Sequence, residues 1–485
     1  MSGAPYRVVV IGNDAPLWLA ASALHAALGP AGVTVEAVAL PSRVSTSHVH
    51  VTQPALEALH NRLGIAEEKL LRATRGSYAL GQKFVDGSGT QPAFFHAHGS
   101  YGAPIDRQGF LAFWLKARRH GLDAGFEDFS LTAAAALHGR MLMPDADTET
   151  FGRTDYGYHL PAGAYARSLK ALAQQDGIAV HETAMASAER DADGNITAVL
   201  LDGDRRIAGD FFVDASDEAL LHEAMWESWA FPADRILHAR GPRMQAIPAY
   251  GQVIATDWGW VGIHPSQQET HIIAAFATGD EDEVLASLPS LCGFMPVDAV
   301  IAKPDPGRRA QPWVANCVAI GPAAARFDPM HGVDLLGVQL GIVHLLSRFP
   351  VAADFSAERN DYNAAMAALF DRARDFQSGH YRLARYAGPF WDAARACEIS
   401  PALAHKIQTF AARGELSLLE EESFALDSWH ALFLGHGLTP DSWAPAIDRI
   451  SPDTMRTEFR RILGFIKDKV LAQPLHEHVL SGQRR

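Results

Sequence analysis

Cysteine is scarce. Three residues in 485, Cys292, Cys317 and Cys397, are too few and too scattered for a disulfide framework or a zinc site. Apolar runs long enough to span a bilayer are missing as well. The chain enters a strand within a few residues, with no basic stretch leading into an apolar core, so no signal peptide is expected and a reducing cytoplasm is. Clustered positive charge is also missing. The formal net charge is −14, and the pairs Arg118-Arg119, Arg205-Arg206, Arg308-Arg309 and Arg460-Arg461 stand apart, which reads as solvated surface. Such a surface repels a nucleic acid backbone. Nucleic acid and membrane are therefore not expected as partners. Hydrophobic residues at 48% and charged residues at 20% are ordinary for a globular chain, whose core at this length needs no metal or disulfide staple.

The segment Arg7-Val8-Val9-Val10-Ile11-Gly12 is a short β-branched run ending in glycine, which predicts a buried parallel strand. Pro16 to Leu28 is rich in Ala and Leu at helical spacing, and Val33 to Leu40 supplies another strand. Together they make a β-α-β unit of about 30 residues, the start of a doubly wound, Rossmann-type nucleotide-binding sheet. Further strands are expected from Val199 to Asp214, with a turn at Asp202-Gly203-Asp204, and from Trp313 to Ile320. After Pro350 the pattern turns helical: Asn363 to His380, Ala402 to Arg413 and Pro452 to Leu471 space apolar residues by three and four.

Four stretches follow one another in a telling order. They are Arg7 to Leu28, then Ser77-Tyr78-Ala79-Leu80-Gly81-Gln82-Lys83-Phe84, then Trp258-Gly259-Trp260, then Asp328-Pro329-Met330-His331-Gly332-Val333-Asp334. With Tyr156-Gly157-Tyr158-His159-Leu160, Asn316 to Gly321, Arg374-Asp375-Phe376 and Pro389-Phe390-Trp391, the set resembles the flavin-dependent tryptophan halogenases over nearly the whole chain. The resemblance implies an α/β fold: a flavoprotein-monooxygenase-like sheet domain over 1–350 with an inserted substrate region, and a mainly helical substrate-side region over 351–485. It also implies FAD as cofactor, a flavin reductase as supplier of reduced flavin, a small aromatic substrate and a homodimer. In that family hypohalous acid made at the flavin travels to a Lys, assisted by a Glu, beside the aromatic ring. A buried ammonium can hold or accept the oxidised halogen, and the carboxylate keeps it charged.

The residues at those positions have changed here. The resemblance places flavin contacts at Gly12, Asn13, Asp14, Ala15, Ala39, Thr52 and Gly321. Of the three loop glycines only Gly12 remains, with Asp14 and Leu17 at the other two positions. Asp14 sets a carboxylate against a diphosphate, and with Pro16 behind it reads as a helix N-cap. Ala39 ends the second strand where an acid normally grips the ribose, and Glu36 lies three residues early. His48 and His50 ahead of Thr52 and Pro54 point one way on a strand, but no third metal ligand is evident.

Ala79 takes the place of the family Lys. On a continuous strand Lys83 would share its face about 13 Å away, too far to substitute. His331 stands where the family has its Glu, with Gly332 and Val333 at the halide-holding Ser-Thr. A Glu left without its Lys would be an uncompensated buried charge, so the two losses are coherent. Trp258 and Trp260, near the family's tunnel, are expected on one face of a strand. The substrate pocket is expected from Phe94 to Trp114 and in the helical third. Three readings stay open: an FAD-dependent halogenase, a non-catalytic binding subunit pairing with an intact paralogue, and a flavin oxygenase using His331 as acid or base.

Overall fold

Four residues with no polar atoms in their side chains, Val8 to Ile11, are wholly buried and form an interior strand. Each such side chain contributes about 1.5–3 kcal/mol by leaving water. The computed structural model describes residues 6–105, 108–142, 156–350 and 354–482, so residues 106 and 107 of the expected pocket stretch lie outside it. The chain divides into two units. The first is Met1–Gly76, Leu160–Ala230 and Asp305–Arg372; the second is Ser77–His159, Phe231–Pro304 and Ala373–Arg485.

In the first unit, β1 (Arg7–Gly12) leads into α1 (Asp14–Leu28), and β2 (Thr34–Ala39) returns beside β1 in parallel, with Gly12 opposite Ala39. The six-stranded sheet runs in the order Trp313–Val314, Cys317–Ala319, Phe211–Ala215, β1, β2, Ala179–Glu182. All neighbours are parallel except the first pair. This is the doubly wound sheet that the opening residues predicted. Helix α1 packs on Ala162–Gln175 and on Asp334–Ser347, burying Leu17, Trp18, Leu19 and Leu24. Beneath the sheet Val9, Ile11, Val38, Val199 and Phe212 form one apolar cluster. The short strand β3 (Val49–Val51) also belongs to this unit.

Trp313 to Ile320 is a hairpin rather than the single strand expected. Ala315 turns the chain with a φ of +47°, and Trp313–Val314 then pairs antiparallel with Cys317–Ala319. The solvated-surface reading of Arg308 is also corrected: its guanidinium pairs with Glu227 at 2.9 Å and Asp371 at 3.1 Å and is mostly buried.

The second unit holds a seven-stranded sheet ordered Val297–Ala302, Arg235–Pro242, Glu269–Phe276, Gly259–Pro265, Gly251–Thr256, β5 (Gly81–Asp86), Phe94–Ala97. Just before β5, β4 (Ser77–Ala79) belongs to different pairing, with Tyr78 opposite Tyr158 and Ala79 opposite Gly157. The remainder is helical. Pro401–Arg413 and Pro452–Ala472 both begin with proline at the first helical position after a serine cap, Ser400 accepting from the Leu403 amide and Ser451 from Thr454. The helical last third is thus present as expected. Among the described residues no helix is long and apolar enough to cross a membrane.

Candidate functional site

In a doubly wound sheet ligands bind at the carboxyl ends of the strands, where the loops after neighbouring strands face one another. Three such loops meet here, after β1, β2 and Phe211–Ala215. Asn13 ties the outer two together: its Nδ2 donates to Pro41 O at 2.6 Å, and its Oδ1 accepts from the Asp217 amide at 3.2 Å. The helix N-cap is Asn13 and not Asp14, and neither residue caps through its side chain. Asp14 is the first helical residue, with φ at +49°, and its carboxylate reaches away from the helix. It accepts from Ser42 Oγ at 2.6 Å and from the Arg43 amide at 2.8 Å. Arg43 then pairs with Glu218, and Arg326 donates to Asp217 O. Burial raises Asp217, Arg326 pulls it back, and Asp14 raises it again.

Sequence reasoning missed Asp217, Glu218, Arg43 and Arg326, because no local motif marks a loop brought in from 200 residues away. Gly12 does have a physical reason, but it is internal: a Cβ there would lie 2.4 Å from Ala215 O. Gly321, at φ +64°, faces Pro16 and Val338 in the same way. Ala15 and Thr52 are fully buried, and Ala39 nearly so. Glu36 is not aimed at a ribose, since its carboxylate meets His181 Nε2 at 2.8 Å. His48 Nδ1 is held by Ser45, and the His50 ring packs edge-on against Tyr165.

The segment at the family Glu position is closed. His331 is fully buried, and Gln53 Nε2 donates to its carbonyl at 2.5 Å. Gly332 adopts φ +60°, and a Cβ built there would stand 2.2 Å from Val51 O on β3. Val333 is buried beside it. Asp328 accepts the Met330 amide, and burial together with the Asp328 charge pushes Asp334 up to about 7, although part of the Asp334 surface stays accessible.

In the second unit Ala79 is 1% exposed, and the continuous strand expected through Lys83 does not exist. The chain breaks at Leu80, whose amide bonds Ala249 O at 2.7 Å while its carbonyl takes the His98 amide. Gly81 permits the jog, since a Cβ there would meet His96 O at 2.2 Å. Lys83, on β5, lies in the field of Glu127, a carboxyl raised to about 7 mainly by burial and lowered in part by Lys83. The two tryptophans also part company. Trp258 sits in the turn before its strand and packs edge-on with Phe276 in an aliphatic cluster, whereas Trp260 donates from Nε1 to Tyr381 OH at 2.9 Å.

One constellation had no signal in the sequence: an array of buried imidazoles. His264 and His271 are cross-strand partners, His159 lies 5.2 Å from His264 between ring centres, and His96 and His98 are 6.2 Å apart. His159 donates from Nδ1 to Pro265 O, and His476 from Nδ1 to Ile247 O. Burial depresses them, His96 and His476 to about 4 and His98 and His159 to about 3, with each imidazolium opposing the next. Among the described residues no group of three His, Cys, Asp or Glu side chains is arranged to hold a metal.

A sequence model of the tryptophan halogenases matches residues 7–452. The chain belongs to this family. The tryptophan 6-halogenase ThaL of Streptomyces albogriseolus is 26% identical over 91% of this chain and 91% of its own. The tryptophan 7-halogenase RebH of Lentzea aerocolonigenes is 23% identical over 97% of this chain and 96% of its own. The flavin-dependent halogenase BrvH from Brevundimonas sp. BAL3 superposes with a TM-score of 0.92 at 29% identity, covering 99% of both chains.

Halogenases of this family are flavin-dependent, so the strand ends must be tested against FAD. They do not fit it. A diphosphate needs a concave run of free amides beside glycine. Here the Arg43 amide is taken by Asp14 and the Asp217 amide by Asn13, and three carboxylates, Asp14, Asp217 and Glu218, line the loops.

Proposed function

We propose that this tryptophan halogenase family member has left flavin-dependent halogenation and serves as a binding or partner subunit, holding a small aromatic molecule or pairing with an intact paralogue. The observation that carries the reading is Gly332. Its left-handed backbone lies against Val51 O, so no side chain fits where the family resemblance places the halide-holding serine. His331 and Ala79, at the positions of the family Glu and Lys, are both buried and supply neither carboxylate nor ammonium. A protein that sheds both partners avoids the several kcal/mol that one unpaired buried charge costs.

The test is direct. Purified protein is supplied with FAD, a flavin reductase, NADH, oxygen, chloride or bromide, and tryptophan or indole. Mass spectrometry is expected to find no halogenated product, and titration is expected to give a Kd for FAD weaker than about 100 μM. Turnover to chlorotryptophan, or a protein that purifies yellow, would sink this reading.

A further inference from the structure

Asp14 holds a backbone conformation that residues other than glycine seldom adopt, φ +49°. Side-chain bonds must over-determine such a conformation for it to persist. Those bonds are on the page: Ser42 Oγ at 2.6 Å to one carboxylate oxygen and the Arg43 amide at 2.8 Å to the other. A hydroxyl and a backbone amide, placed past a strand end next to the start of a helix, are the donor set that a phosphate oxygen takes. The negative charge beside them is supplied by the chain itself. Asn13 completes the closure on the other side, bridging Pro41 O and the Asp217 amide.

We infer that Asp14 is an internal stand-in for a phosphate. Its carboxylate occupies the donors that would otherwise receive the diphosphate of a nucleotide, and so it is the residue that decides against dinucleotide binding. The inference rests on the proposal that the native chain does not bind FAD, and it goes further by naming the cause and a class of ligand, nucleoside diphosphates, that the site would accept once emptied. The donors remain after Asp14 is removed: the Arg43 amide, the Ser42 hydroxyl and the guanidinium of Arg43, now paired with Glu218. Glycine at position 14 also relieves the left-handed backbone.

Full-length wild type, Asp14→Gly and Asp14→Asn are titrated with ADP and with FAD by calorimetry, with circular dichroism spectra recorded alongside. Asp14→Gly is expected to bind both at least about tenfold more tightly than wild type, a difference of about 1.4 kcal/mol. Asp14→Asn, which loses the charge but keeps a side chain that tolerates this φ, is expected in between, and it carries the test if the glycine variant folds poorly. Affinity for ADP and FAD that stays at the wild-type value in a folded variant overturns the inference and leaves the proposed function standing. Tight FAD binding by the wild type strikes the proposed function instead.

Discussion

Gly332 and Asp14 share a left-handed backbone and answer it in opposite ways. At Gly332 the conformation is relieved by having no side chain; at Asp14 it is held by two hydrogen bonds. The difference yields a prediction for each. Gly332→Ser, which restores the family residue, forces a Cβ to within 2.2 Å of Val51 O and imposes left-handed strain. It should cost about 3 kcal/mol or more, read as a lower urea midpoint with unchanged slope. A midpoint equal to wild type would mean the loop yields freely and that serine was not excluded by geometry. Side-chain identities at both positions were readable from sequence; their φ angles were not. That is why Asp14, read as a cap, proved to be a bond to a loop 28 residues on.

At the scale of elements, sequence pattern located β1, α1 and β2 to within two residues, because Val8 to Ile11 and the Ala-Leu helix bury themselves locally. It failed where a distant partner sets the geometry. The hairpin at Trp313 is held by Asn316, whose side chain bonds Ile196 and Asp210, residues more than 100 positions away. The jog between β4 and β5 depends on Ala249 and on the His96 carbonyl. These elements also decide what repair can achieve. Ala79→Lys puts an ammonium at a position 1% exposed in an extended segment, a cost of about 3–5 kcal/mol where no carboxylate compensates it. The double variant Ala79→Lys, His331→Glu is expected to yield no chlorotryptophan with a flavin reductase present, because the strand ends still refuse FAD. Chlorinated product from that variant, detected by mass spectrometry, would show the strand-end geometry to be irrelevant.

Summed over the chain, the buried imidazoles should govern how the protein responds to acid. Unfolded histidine titrates near 6.5, whereas His96 and His476 are held near 4 and His98, His159 and His436 near 3 by burial. In the first unit His50, His60 and His222 lie near 4 for the same reason. With folded values below the unfolded one, only the unfolded chain takes up protons as pH falls through 6.5. Stability is therefore complete above 6.5 and drains between about 6.5 and 4. Each such histidine costs about 2 kcal/mol at pH 5, counted from the unfolded pKa. Glu127 and Asp334, both raised to about 7, act in the other sense, since the folded state binds their protons first and gains as pH drops. Two carboxyls set against eight imidazoles leave the balance with the histidines. The charged neighbours in range, Glu477 beside His476 and Arg385 beside His436, pull in opposite directions and do not change that sign. Urea denaturation at pH 7.5 and at pH 5.0 should give a clearly lower midpoint in acid, with a steep fall between. His159→Gln, which removes one member of the array, should flatten that fall by about one proton's worth of slope. A midpoint that holds or rises on going to pH 5.0 would mean that these rings are already charged or reach water in the folded protein.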